Sequence, residues 1–109
     1  LCDDYWHPSE VVQRGLEPLS DRYDFTFIKD AKDTLTQAFI ASYPLIICCK
    51  ANHINASNTH PWFEENVTEV GVKELEAYVA AGNSFFSIHS GNTARFGNAY
   101  GEFVMNSIK

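Results

Sequence analysis

Residues 44–49 read Pro-Leu-Ile-Ile-Cys-Cys, a continuous apolar run preceded by a turn signal and followed by a long polar stretch. Strands with one wet face alternate apolar and polar residues. A run of this length without alternation fits a central strand of a parallel sheet, covered on both faces. Such a strand needs helices above and below it, so this segment already restricts the chain to a layered α/β architecture.

The flanking segments match that demand. Val11, Val12, Leu16 and Leu19 recur at helical spacing and predict a helix from Pro8 to Ser20, with Pro8 in the first turn and Pro18 closing or bending the end. Tyr23 to Ile28 alternates and is rich in aromatic and β-branched types, which predicts a strand. Asp33 or Thr34 can cap a short helix through Ala41, with Leu35, Phe39 and Ile40 inward. From Val70 to Ala81, Val72, Leu75, Tyr78 and Val79 give an amphipathic helix stopped by Gly82. Ser84 to Ile88 is the next strand, His89 to Asn92 a tight turn, and a last helix runs from near Thr93 toward Lys109. Leu1-Cys2 reads as the last residues of a strand. Helical crossovers between strands imply parallel pairing with right-handed connections. The expected fold is a doubly wound α/β sheet with helices on both faces, a single domain over residues 1–109 that is cut at both ends and spans roughly the first half of the sheet.

Composition removes several classes of function. The net charge is -6 and no run of Lys and Arg forms a stripe, which argues against a nucleic-acid partner. The longest apolar stretch, Tyr43 to Cys49, is too short to span a bilayer. Three cysteines, two of them adjacent at Cys48 and Cys49, argue for reduced buried thiols rather than a disulfide framework. A cytoplasmic protein is therefore expected, despite the sequons at Asn55 and Asn66. An unpaired sheet edge would invite association, so a homo-oligomer and poor solubility of this piece alone are expected.

In sheets of this kind ligands bind beyond the carboxyl ends of the strands. Three loops qualify: residues 3–7, 50–69 and 89–92. They cover roughly a quarter of the chain yet hold all four histidines and both tryptophans. The pattern Ser87-Ile88-His89-Ser90-Gly91, between a strand and a helix, is that of a nucleophile elbow, in which a sharp turn exposes the central side chain above the sheet. Acyl-transfer enzymes place Ser or Cys there. His89 can instead act as a general acid or base, as a metal ligand, or as a hydrogen-bonding group. Ser90 is the neighbouring hydroxyl. Asp3-Asp4 and Glu64-Glu65 are adjacent pairs whose members tend to point apart, so neither forms a glycosidase pair.

Asp3-Asp4 after a strand, then His7-Pro8, then a Gly-terminated helix and Ser87-Ile88-His89-Ser90-Gly91, resembles the ThuA-like (trehalose utilisation) family of the class I glutamine amidotransferase-like superfamily. The resemblance runs over essentially all 109 residues, with Asn83 in place of the family's second glycine and with Trp62 matching a loop aromatic. It implies a flavodoxin-like fold and a role in trehalose or other disaccharide utilisation. Because position 89 lacks the superfamily's cysteine, it also implies no glutaminase activity. The expected catalytic group is His89, Asp4, His7 and Ser90. Sugar contacts are expected from Trp6, Asn52, His60, Trp62, Gly91 and Asn92, with stacking from the tryptophans. Two alternatives stand beside this enzyme of carbohydrate metabolism. One is a non-catalytic sugar-binding or protein-interaction module. The other is a hydrolase-like Zn²⁺ site in which His7 and His89 converge.

Overall fold

The computed structural model describes residues 1–2, 7–29, 36–49, 72–92 and 99–106. The apolar run forms β1 (Leu45–Cys48) and Ser84–Ser87 forms β2. They pair in parallel, Leu45 opposite Ser84 and Cys48 opposite Ser87. A parallel pair cannot be closed by a tight hairpin, and helix α3 (Val72–Ala80) lies on the crossover. On the other edge of β1, the Leu1 nitrogen donates to Ile47 O at 2.6 Å and Cys49 N donates to Leu1 O at 2.9 Å. These two bonds are the parallel pattern with Leu1 opposite Cys48. Cys2 N then donates outward to Ile28 O at 3.1 Å. Side by side run residue 28, residues 1–2, β1 and β2.

Residues 23–28 were expected as a strand, and they form no ladder beyond that one bond at Ile28. The physical reason is spacing: behind Ile28 the segment faces β1 across a hollow of about 490 Å³, too wide for a backbone ladder. The Tyr43 hydroxyl spans the gap to Thr26 Oγ1 at 3.3 Å. The expected alternation is nonetheless visible: the rings of Tyr23, Phe25 and Phe27 follow one another at 6.2 and 5.9 Å, as on one side of an extended chain.

The core gathers Ile40, Ile46, Val72, Leu75, Tyr78, Tyr100 and Val104. Helix α3 contributes Val72, Leu75 and Tyr78, and the Tyr78 hydroxyl donates to Tyr43 O, which ties the helix to the entrance of β1. Val79, expected inward, is 37 % exposed, because the buried face is centred on the i, i+3, i+6 row and Val79 lies about 100° round from Tyr78. Helix α4 (Ala99–Asn106) contributes Tyr100 and Val104. The expected start of that helix near Thr93 falls outside the described residues.

Helix α1 runs over Ser9–Leu16 and tightens into a 3₁₀ turn at Glu17–Leu19, where Pro18 has no N–H to continue the α pattern. Val12 and Leu16 line the hollow, whereas Val11 and Leu19, also expected inward, are exposed. Helix α2 (Gln37–Ile40) is capped by Thr36, whose hydroxyl accepts from Phe39 N at 3.3 Å; the expected caps Asp33 and Thr34 lie outside the described residues. The two faces of β1 are covered unequally. Ile46 and Cys48 are buried, but Leu45 is 44 % exposed, and Phe86, which shares its face, is 55 % exposed. Full cover, expected on both faces, is present on one. Cys2 and Cys48 are buried, Cys49 is half-buried, and none of the three is in a disulfide. Among the described residues no helix is long and apolar enough to cross a membrane.

Candidate functional site

Beyond β2 the ladder continues for one residue, with Ile88 N donating to Cys48 O at 2.9 Å. The chain then turns sharply through a 3₁₀ segment, His89–Asn92. His89 adopts φ +49°, the one left-handed non-glycine residue among those described. That conformation costs an L-residue about 1–2 kcal/mol and persists only where the surroundings impose it.

Several contacts impose it. Gly91 N donates back to Ile88 O at 2.8 Å and closes the turn. Ser87 Oγ donates to Asn92 Oδ1 at 2.5 Å, while Asn92 Nδ2 lies 3.4 Å from Ser87 O, so the residues flanking the turn clasp each other. The buried Ser90 hydroxyl donates to Cys49 O at 2.7 Å, and the Tyr100 hydroxyl donates to Gly91 O at 2.6 Å. At Gly91 the turn presses onto β1: a Cβ there would lie 2.0 Å from Cys48 O. The result is an exposed His89 side chain on a strained, over-determined turn, which is the elbow geometry anticipated from the motif.

His7, two residues before α1, meets His89 here. Their ring centroids are 5.0 Å apart with planes at 73°. The two histidines are thus brought together from positions 82 residues apart in sequence (89 minus 7). Ser90, expected in the catalytic group, is buried and engaged with Cys49, so it anchors the turn instead of facing a ligand. Gly91 provides the close approach, and Asn92, though exposed, is tied to Ser87. Asp4, Trp6, Asn52, His60 and Trp62 lie outside the described residues, as does His53. Among the described residues no cluster of three or more His, Cys, Asp or Glu could hold a metal.

Sequence reasoning missed Tyr100, the residue that fastens the elbow from below. It is fully buried, and burial beside the Cys48 thiol holds its hydroxyl far above the ordinary tyrosine range, so it stays a neutral donor. Its signal, one tyrosine in a weakly patterned helix, is not distinguishable from core in a sequence. Cys49 is also pushed up, first by burial and then by Cys48 and Cys2, which keeps it a thiol and not a thiolate nucleophile.

Backbone strain at His89 gives a direct test. His89→Gly is expected to stabilise the fold by up to about 1 kcal/mol in chemical denaturation, since glycine takes positive φ freely and the strain is released. A variant clearly less stable than the parent would show that the imidazole itself holds the turn.

Compared with protein-family models, with curated proteins and with solved structures, the chain matches none.

Proposed function

We propose that the chain is a ThuA-like protein of sugar utilisation, in which His7 and His89 act on a disaccharide or related polyhydroxyl ligand at the carboxyl edge of a flavodoxin-like, doubly wound sheet. The observation that carries this reading is the His7–His89 pair, 5.0 Å apart on an elbow whose central residue is held at φ +49°. Strain kept at an exposed polar residue has its commonest explanation in function.

The order of hydrogen-bonded segments supports the same reading. From residues 1–2 the chain goes out through α1 to residue 28 on one side, and later crosses from β1 to β2 through α3 on the other. Connections that depart in opposite directions define a topological switch point, where ligands bind in open α/β sheets. His7 follows residues 1–2 at that point in the sequence, and His89 follows β2, one strand farther along. A sugar hydroxyl seated between two imidazoles can lose a proton to one and gain a hydrogen bond from the other, and this is general acid–base chemistry that needs no elbow cysteine.

The test is a thermal-shift panel on the full protein with trehalose, related disaccharides and their oxidised forms. A sugar present at about 100 times its Kd is expected to raise Tm by several degrees. His89→Ala and His7→Gln should each abolish that rise. No shift with any sugar of the panel would remove the carbohydrate assignment.

A further inference from the structure

We infer that His7 and His89 form a two-imidazole chelate for a divalent transition ion of the Zn²⁺ class. The inference goes beyond the sugar reading and stands whether or not a sugar binds. The argument is geometric. An imidazole nitrogen sits about 2.0–2.1 Å from a bound Zn²⁺, and the ring centre lies a little over 1 Å farther back along the same line. Two rings sharing a tetrahedral ion therefore place their centroids about 5.2 Å apart. The observed separation is 5.0 Å.

The inclination of the rings agrees with this. A nitrogen lone pair lies in the plane of its ring, so the shared ion must lie in both planes. Planes at 73° meet along a line, and that line is where an ion held by both rings would lie. Parallel stacked rings could not do so. The left-handed backbone at His89 adds pre-organisation, because the turn fixes where that ring leaves the sheet before any ligand arrives. Imidazole is a ligand of borderline softness, which suits Zn²⁺, Co²⁺, Ni²⁺ or Cu²⁺ better than Mg²⁺ or Ca²⁺. With two protein ligands, the remaining positions of the ion are open to water or to an oxygen-bearing ligand.

The experiment titrates Zn²⁺, with Mg²⁺ as control, into the metal-stripped full protein and follows Tm and calorimetric heat. Its variants are His7→Gln, His89→Asn and Cys49→Ser. Asn is chosen at position 89 because it tolerates positive φ, so the fold survives the change. The parent is expected to gain several degrees with Zn²⁺ and none with Mg²⁺. Either histidine change should remove the gain and Cys49→Ser should keep it. The proposal fails if Zn²⁺ gives no shift. It fails equally if the shift survives both histidine variants, or if it is lost only with Cys49→Ser, which would place the ion on the thiols. The sugar panel, run without metal, reports separately on the carbohydrate reading.

Discussion

Gly91→Ala is expected to destabilise the fold by about 3 kcal/mol or more, a large fraction of an ordinary domain's stability. The added methyl carbon would sit 2.0 Å from Cys48 O and 2.8 Å from the Cys48 carbonyl carbon. Both atoms are backbone of the central strand, so no side-chain rotation can relieve the contact. The turn would have to lift from β1 by more than 1 Å. That movement breaks the Ile88 N–Cys48 O bond, stretches the Ser90–Cys49 bond and pulls Gly91 O away from Tyr100. Gly15→Ala is the internal control. Gly15 lies in α1 with open space where a Cβ would go, and the change should stabilise by about 0.5–1 kcal/mol. Paired denaturant melts read both. A Gly91→Ala protein within a degree or two of the parent would refute the tight docking of the elbow on β1.

Tyr100 has the second large effect, and it separates into two variants. Tyr100→Ala empties a fully buried site packed among Phe85 and Phe103 at ring distances of 6.4 and 5.9 Å, and should cost about 3–5 kcal/mol. Tyr100→Phe keeps the ring and deletes only the hydroxyl, leaving the buried Gly91 carbonyl without its donor, for about 1–3 kcal/mol. The two variants also differ from the parent in alkali. In the unfolded chain Tyr100 ionises near the ordinary value of 10.0, whereas burial keeps it protonated in the fold. The folded state therefore binds more protons above pH 10. The stability linked to this group is complete below that pH and falls by about 1.4 kcal/mol per unit above it. Tyr78 and Cys49, whose hydroxyl and thiol are also pushed up by burial, add losses of the same sign, with Cys49 starting near its ordinary 9.0. Melting temperatures measured from pH 8 to 11 should fall more shallowly for Tyr100→Phe than for the parent. Equal slopes would show that the Tyr100 hydroxyl is not withheld from solvent.

Much of this arrangement was legible without coordinates. Local pattern gave the order of elements, because an unbroken apolar run, a period of 3.6 and a glycine stop are properties of neighbouring residues alone. The elbow was legible for the same reason: small residues at Ser87 and Gly91 around His89 specify a sharp turn wherever the chain is placed. What neighbouring residues cannot encode is company. Residues 23–28 have a strand's alternation but form no ladder beyond the bond at Ile28, since a hollow separates them from β1. Val11 and Val79 obey helical periodicity and still face water, because which arc of a helix is buried depends on what lies opposite it.

The site divides along the same line. The sequence by itself determined that position 89 stands at a sharp turn and carries an imidazole where acyl-transfer chemistry would need a thiol or a hydroxyl. Only the tertiary structure decided that His7 is the residue His89 meets, that Ser90 turns inward to Cys49, and that Tyr100 clamps the turn through Gly91. The physical reason is distance along the chain. The Ser90 and His7 contacts join segments 41 and 82 residues apart, and such contacts arise from sheet order and the register of β1 against β2, which no short stretch of sequence contains.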